Sequence, residues 1–129
     1  MQKKISYKNV LLDIYDFLEK KINQCEKNNI DRSRIIIDPG IGFGKNLKQN
    51  LNLIKNISLF HSLGVSILLG SSRKTFISKI SKNALENERL GGSISSVIYA
   101  LNQGVQIFRV HDVIETKQAV DVYNKIKRA

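Results

Sequence analysis

Short apolar strands alternate with longer helices along this 129-residue chain, and this order constrains the fold more than any single motif. A helix is predicted over residues 7–28, and three strand–helix units follow it, with strands at 34–38, 65–70 and 105–110. Strands separated by helices of this length pair in parallel through right-handed crossovers. Their nearly all-apolar composition is typical of strands that are covered on both faces. The sequence therefore predicts an α/β fold built on a parallel sheet.

The predicted helices are recognised by apolar spacing and by the residues at their ends. Asn46 is predicted to cap a second helix that stops before Gly64, with further helical segments at about 74–81, 89–103 and 115–127. The stripe of apolar residues on the first helix is Val10, Leu11, Ile14, Phe17, Leu18, Ile22 and Cys25.

Composition limits the classes of function. The net charge of +10 permits a nucleic acid or an anionic ligand, but the lysines are scattered and no recognition helix, zinc knuckle or aromatic-studded basic strand accompanies them. No apolar stretch approaches the roughly 20 residues that cross a bilayer, and the amino terminus lacks the apolar segment of a secretory signal. The single Cys25 excludes an internal disulfide and a Cys-based zinc cluster. We therefore expect a cytoplasmic protein with neither nucleic acid nor membrane as a partner.

Polar residues follow each predicted strand at its carboxyl end. Asp38 follows the first strand, Ser-Arg-Lys at 72–74 follows the second, and Arg109 and His111 end the third. In parallel α/β folds, ligands bind at the edge of the sheet where the strands have their carboxyl ends. The three strand ends together predict a functional site.

The segment 35–45, IIIDPGIGFGK, sets a carboxylate at a strand end before three glycines. A carboxylate there suits a planar pair of N–H donors on a guanidine-like heterocycle, although an Asp that only caps a loop is an alternative. The glycines let the chain turn sharply and approach a ligand closely. Common nucleotide motifs do not fit, because Pro39 and Asn46 occupy required P-loop positions and Gly44 comes one residue early for a dinucleotide fingerprint.

The cationic residues of the other two strand ends suit an anion. The tripeptide 72–74 offers a hydroxyl, a bidentate guanidinium and a point charge. Arg109 and His111 face the same side if the third strand continues that far, and such a pair suits a phosphate or pyrophosphate. A solvated basic edge without function is the alternative. His61 is predicted to be a surface residue and Cys25 a packing residue.

Three motifs, DPGIGFGKN, SSRKTFI and ERLGGSISSVIYALNQGVQIFRVHDV, resemble those of bacterial dihydropteroate synthases in order and spacing. The resemblance runs from about residue 2 to the end and corresponds to the carboxyl-terminal part of that family. It implies that residues 1–129 form part of a pterin-binding barrel domain. The fold would be a partial (β/α)8 TIM barrel, with three carboxyl-terminal parallel strand–helix units and a preceding helix.

The family joins p-aminobenzoate to 6-hydroxymethyl-7,8-dihydropterin diphosphate. The reaction gives dihydropteroate for folate biosynthesis and releases pyrophosphate with the help of Mg2+. Corrinoid-dependent methyltetrahydrofolate enzymes share the barrel and are an alternative, but the Ser-Arg-Lys and Arg-Val-His triplets favour the synthase.

The resemblance also implies roles for the residues that would bind the pterin diphosphate. Asp38 would bind the guanidine-like edge of the pterin, and Lys74 would reach its carbonyl and ring nitrogen, with Gly42 leaving room. Arg109 and His111 would hold the diphosphate and stabilise the charge that develops on the leaving group. Lys74, Arg109 and His111 are thus the predicted catalytic residues.

The resemblance assigns three further residues to p-aminobenzoate. Phe43 would pack near the aminobenzoate ring, Ser72 would help bind its carboxylate, and Arg73 would border that region. The small-molecule substrates are therefore the pterin diphosphate and p-aminobenzoate.

The part of the family's barrel that precedes this region has no counterpart in the sequence. A whole barrel takes about 250 residues, and the family's first five strands, its Mg2+-ligating Asn and its two mobile loops are missing. No metal ligand is therefore predicted in this chain, which we expect to be a truncated gene, a partial sequence or an internal start. Open strand edges predict a homo-oligomer or dependence on the missing amino-terminal half. A non-catalytic fragment that retains part of the pterin and diphosphate pocket is an alternative.

Overall fold

Residues 6–129, which the computed structural model describes, form a three-stranded parallel sheet flanked by helices. Strands β1 (Ile36–Ile37), β2 (Ser66–Leu69) and β3 (Ile107–Phe108) lie side by side in chain order, and the two outer strands run parallel to β2. This confirms the predicted α/β class and the parallel pairing. The correspondence of the amino-terminal residues 1–5 to the family lies outside the described residues.

Five α-helices occur among the described residues, close to the predicted segments. They are α1 (Val10–Lys27), α2 (Leu47–Lys55), α3 (Thr75–Ile80), α4 (Leu90–Asn102) and α5 (Val113–Arg128). Short 3-10 segments cover Arg32–Arg34, Ile57–Leu63 and Glu86–Glu88. No helix in this part of the chain combines the length and the apolar character that a membrane crossing requires.

The second helix begins as predicted but is divided. The Asn46 side chain accepts a hydrogen bond from Gln49 N at 2.8 Å, and Gln49 Oε1 accepts one from Asn46 N at 2.9 Å, which forms a capping box. The α-helix then ends at Asn56, whose side-chain amide donates to Asn52 O and Asn52 Oδ1. Such local bonds of asparagine compete with the helical pattern. The chain continues as a 3-10 segment until Gly64.

The apolar stripe of α1 is narrower than the sequence predicts. Its buried residues recur every four positions, at Val10, Ile14, Leu18 and Ile22. Phe17 was expected on this stripe but is 55% exposed. A helix turns about 100° per residue, so Phe17 lies about 60° away from the preceding stripe residue, Ile14, at the solvent edge.

The core lies between one face of the sheet and the helices. Strand residues Ile37, Ile67 and Leu69 are at most 4% exposed, whereas Ile36, which points to the opposite face, is 55% exposed. The expectation of strands covered on both faces is therefore wrong for the described part of the chain. In a TIM barrel this second face is turned toward the barrel interior and meets the side chains of the other strands.

Candidate active site at the carboxyl edge of the sheet

The loop after β1 carries Asp38 and folds back on itself through backbone hydrogen bonds. Asp38 Oδ1 accepts from Gly40 N at 2.8 Å, and Phe43 N donates to Gly40 O at 3.1 Å. Gly42 N donates to the side-chain oxygen of Asn50 at 2.9 Å, and Asn50 is buried in α2. Helix α2 therefore fixes the middle of the loop, a role of Asn50 that the sequence analysis missed.

Lys45 closes the same loop from its far end. Its ammonium donates to Gly40 O at 2.6 Å and to Phe43 O at 2.9 Å. Burial lowers the pKa of Lys45, the negative charge of Asp38 opposes this, and the positive charge of Lys74 adds to it. Lys45 was not among the predicted site residues, although a lysine directly after a glycine-rich turn was a usable signal.

Lys74 extends from the end of β2 across the glycine loop. Its ammonium donates to Ile41 O and lies 4.7 Å from the centroid of the Phe43 ring. The backbone at Gly42 has a φ of +87°, and a Cβ there would lie 2.9 Å from Lys74 Cδ. Glycine is therefore needed at position 42 both for the backbone conformation and for the passage of the lysine.

Burial and two neighbouring charges shift the pKa of Lys74. Burial lowers its pKa, Asp38 opposes that effect, and Arg109 adds to it. Asp38 Oδ2 lies 3.4 Å from Arg109 Nη2, and the two side chains are 34% and 64% exposed. This long, accessible ion pair leaves both groups open to a ligand.

The third strand ends earlier than predicted, so the expectation that strand alternation aligns Arg109 and His111 does not hold. β3 ends at Phe108, although Arg109 N still donates to Leu69 O at 3.1 Å. Beyond this point, side-chain contacts rather than strand geometry orient the two residues. His111 lies beside Ser72, whose hydroxyl is 2.9 Å from His111 Nδ1 and accepts from His111 N at 3.1 Å.

Both the side chain and the backbone of Arg73 form hydrogen bonds with other residues. Its guanidinium binds Asp112 through Nη2–Oδ1 at 2.8 Å and Nε–Oδ2 at 3.2 Å. Its backbone has a φ of +56°, its N–H donates to Ser93 Oγ at 2.8 Å, and its carbonyl accepts from Arg89 Nη1 at 2.8 Å. The hydrogen bond from Arg73 lowers the pKa of Asp112. The sequence analysis missed all three of these partners.

The structure thus brings the predicted residues together in two adjoining groups. The first contains Asp38, Gly42, Phe43, Lys74 and Arg109, and the second contains Ser72, Arg73 and His111 with their partner Asp112. A carboxylate beside several cations can bind the N–H edge of a heterocycle and an anion at the same edge of the sheet.

Two further sequence-based expectations concern metal ligands and His61. No group of three or more His, Cys, Asp or Glu side chains among residues 6–129 is placed to hold a metal ion. His61 is half-buried rather than on the surface, and its Nε2 lies 2.7 Å from Gln103 O, away from the two groups of site residues.

Three parallel strands backed by helices, with ionic side chains at their carboxyl ends, define part of a TIM-barrel enzyme. The model of the family described as "Pterin binding enzyme" matches residues 1–111. The chain belongs to this family, which confirms the resemblance seen in its motifs.

Curated and structural relatives agree with this assignment. The chain is 38% identical over 122 residues to the dihydropteroate synthase of Escherichia coli K12, an alignment that covers 95% of this chain and 43% of the relative. The Xanthomonas albilineans dihydropteroate synthase with 4-aminobenzoic acid superimposes with a TM-score of 0.94 at 33% identity, covering 98% of this chain and 46% of that one. The same enzyme in complex with 7,8-dihydropteroate gives a TM-score of 0.95 at 32% identity, covering 100% and 49%. The chain therefore spans about half the length of the relatives it matches.

Proposed function

We propose that this chain supplies the pterin-binding and diphosphate-binding edge of a dihydropteroate synthase. The reaction would join p-aminobenzoate to 6-hydroxymethyl-7,8-dihydropterin diphosphate and release pyrophosphate. The observation that carries the proposal is the accessible Asp38 carboxylate between Lys74 and Arg109, at the carboxyl edge of a parallel sheet. That the Xanthomonas relative has been solved with 4-aminobenzoic acid and with 7,8-dihydropteroate supports this choice of substrates.

Asp38 and Lys74 would recognise the pterin. Asp38 Oδ2 faces the site while Oδ1 is anchored to Gly40 N, so the carboxylate is already oriented toward the N–H and amino donors of the heterocycle. The Lys74 ammonium, which crosses over Gly42, would donate to the pterin carbonyl and ring nitrogen. Because these groups are fixed before the ligand arrives, little ordering would be needed on binding.

Arg109 and His111 would bind the diphosphate and act on the leaving group. In the transfer, the amine nitrogen of aminobenzoate forms a bond to the methylene carbon, and the carbon–oxygen bond to the diphosphate breaks. The electron pair of that bond goes to the departing oxygen, and the amine releases a proton. Cationic and N–H donors directed at the diphosphate stabilise this charge, and holding both substrates in line supplies the rest of the rate.

Phe43 and Arg73 would border the aminobenzoate. The Phe43 ring lies against the Lys74 ammonium, and this contact places an aromatic face next to the proposed pterin site. The role of Ser72 in binding the aminobenzoate carboxylate stays a prediction. Its 5% exposure and its bonds to His111 leave little of the hydroxyl for a substrate.

Magnesium enters no step of this proposal. That Mg2+ would be bound by an Asn in the part of the family that precedes this region is implied by the resemblance alone and stays a prediction. The cytoplasmic location and the dependence on an oligomer or on an amino-terminal half also stay predictions.

The test is product formation and pterin binding by this chain. The 129-residue chain is incubated with the pterin diphosphate, p-aminobenzoate and Mg2+, alone and with a second polypeptide that carries the remaining part of the Escherichia coli relative. Dihydropteroate formed in either mixture supports the proposal. Binding of pterin without product in both would favour the non-catalytic fragment, and binding of methyltetrahydrofolate with indifference to aminobenzoate would favour the methyltransferase alternative.

Asp38→Asn is the variant that tests the recognition step. It keeps the shape of the side chain but replaces one acceptor oxygen with a donor, so pterin affinity should fall by roughly tenfold or more, since about 1.4 kcal/mol corresponds to a factor of ten. Aminobenzoate affinity should change less. Asp16→Asn, an exposed substitution on α1, is the matched control. Unchanged pterin affinity in Asp38→Asn would contradict the assigned role.

A further inference from the structure

The register between β2 and β3 continues beyond the two strands through side-chain contacts. The paired strand residues Leu68 and Ile107 are 39 positions apart in the sequence (107 minus 68). Ser72 with His111, and Arg73 with Asp112, are each 39 positions apart. Side-chain contacts thus keep the register of β2 and β3 in the residues that follow the two strands, where the strand pairing has ended.

The Ser72 hydroxyl contacts both the backbone N–H and the ring nitrogen Nδ1 of His111. Ser72 Oγ accepts the backbone N–H of His111 at 3.1 Å and lies 2.9 Å from Nδ1 of the same residue. Among the contacts of the described residues, Nδ1 is the only acceptor within reach of the single hydroxyl hydrogen. The hydroxyl hydrogen is therefore available for donation to Nδ1, and a neutral imidazole whose Nδ1 accepts carries its hydrogen on Nε2.

We propose that Ser72 is a positioning residue that fixes the neutral tautomer and the ring orientation of His111. The exposed His111 residue then offers Nε2–H as a donor to a ligand, while Nδ1 accepts from the buried hydroxyl of Ser72. The inference rests on the proposed function in one respect, because the acceptor it serves is the diphosphate leaving group. It gives Ser72 a role different from the one that the family resemblance implied.

The neighbouring ion pair anchors the residues next to this contact, but the contact with Ser72 is what holds the imidazole ring. Asp112 directly follows His111, and its carboxylate is held by two hydrogen bonds from Arg73, whose backbone is in turn anchored by Ser93. The backbone on both sides of the Ser72–His111 contact is therefore fixed. Rotation of the imidazole away from Ser72 would break one hydrogen bond without requiring any of these anchors to move.

Long-range 1H–15N NMR correlation on the 15N-histidine-labelled chain tests the inference directly. At about pH 8, where an ordinary histidine is neutral, the Nδ1 and Nε2 chemical shifts show which nitrogen carries the hydrogen. The chain has two histidines, so a His111→Asn variant assigns the signals. We expect His111 of the unmodified chain to show a single Nε2–H pattern.

The variants compare loss of the contact with loss of an equivalent buried hydroxyl. Ser72→Ala should shift the His111 signals toward averaged values of two tautomers, and Ser72→Thr, which retains a hydroxyl, should keep the original pattern. Ser71→Ala is the matched control, because Ser71 is also buried and its hydroxyl bonds Ser96 at 2.7 Å rather than a histidine. This control should leave His111 unchanged.

Two results would overturn the inference. One is an Nδ1–H pattern in the unmodified chain, and the other is an identical pattern in the unmodified chain and in Ser72→Ala while both remain folded. Titration with inorganic pyrophosphate separates this inference from the proposed function. A fixed tautomer that depends on Ser72, with no response of Nε2 to pyrophosphate, would retain the positioning role and remove the diphosphate role of His111.

Discussion

Replacing Gly42 with alanine tests how the glycine loop and Lys74 depend on each other. The added Cβ would lie 2.9 Å from Lys74 Cδ, so the lysine must leave its path across the loop. Its ammonium would then lose the hydrogen bond to Ile41 O and the position over the Phe43 ring. We therefore expect Gly42→Ala to weaken both folding and pterin binding.

The expected magnitude has a backbone part and a side-chain part. At a φ of +87°, an alanine costs roughly 1–2 kcal/mol relative to glycine. Displacing Lys74 adds about 1 kcal/mol for a hydrogen bond of a half-exposed cation. The free energy of unfolding should therefore fall by about 2–3 kcal/mol. Pterin affinity should fall by about five- to tenfold through the loss of Lys74 alone.

Urea unfolding and pterin titration of three variants separate these parts. Gly40→Ala has a similar backbone cost at a φ of +77°, but its Cβ would meet the Lys45 ammonium at 3.3 Å and Phe43 Cδ2 at 4.0 Å, with no contact to Lys74 within 4 Å. It should lose about 1–2 kcal/mol and retain more of the pterin affinity. Gly91→Ala, in α4 with nothing within 4 Å of the added Cβ, should be stabilised by about 0.5–1 kcal/mol.

The comparison between Gly42→Ala and Gly40→Ala decides the outcome. If both variants lose stability and pterin affinity equally, then the cost of the positive φ at each glycine explains both losses. The proposed passage of Lys74 over Gly42 would then be refuted as a determinant of binding.

Three further predictions follow from other contacts. Asp112→Asn should lower the free energy of unfolding at neutral pH, because Arg73 lowers the pKa of Asp112. The stability that the ionised Asp112 contributes is present above its unfolded pKa of about 3.9 and is lost as the pH falls through the lower folded value. The difference in unfolding free energy between the unmodified chain and Asp112→Asn should therefore shrink when urea titrations are made at acid pH. A constant difference down to acid pH would contradict the ion pair. Lys45→Met removes the hydrogen bonds that the Lys45 ammonium donates to Gly40 O and Phe43 O. It should weaken aminobenzoate binding more than pterin binding in calorimetric titrations of the reconstituted enzyme. Equal loss of both affinities would argue against a role of Lys45 in positioning Phe43. The isolated chain should sediment as oligomers or aggregates, because the outer edges of β1 and β3 are unpaired within residues 6–129; a monomer that melts cooperatively would contradict this.

Local signals predicted the elements whose causes are local. The Asn46 capping box needs only residues 46–49, and the apolar period of α1 needs only one helix, so both could be predicted from neighbouring residues. The division of the second helix was missed, because the apolar residues continue at helical spacing past the Asn56 side-chain bonds that end the α-helix. Strand length was overestimated for a related reason: an apolar run indicates burial, whereas strand bounds depend on the hydrogen bonds of a neighbour.

The exposure of Ile36 on one face of the sheet also could not be predicted from an apolar run alone. Ile36 is apolar and was expected to be buried, and it is 55% exposed. Its apolar character is thus consistent with a contact that residues 6–129 do not provide. The alignment to relatives about twice as long points the same way.

The candidate site could be predicted as a set of residues but not as a set of contacts. Position after a strand was enough to select Asp38, Lys74 and His111, because all parallel strands end at the same edge. It was not enough to find Asp112 as the partner of Arg73, since that pairing depends on the register of two strands that are distant in sequence.

The register of β2 and β3 therefore decides which of the predicted site residues contact each other. Once Leu68 is known to pair with Ile107, the same offset pairs Ser72 with His111, and the hydroxyl falls beside the imidazole. A one-residue slip in one direction would place Arg73 beside His111, and a slip in the other direction would place Ser71 there, so in either case the contact with Ser72 would be lost. The chemistry that we propose for His111 thus depends on the pairing of two short strands, because that pairing sets which side chain lies beside the imidazole.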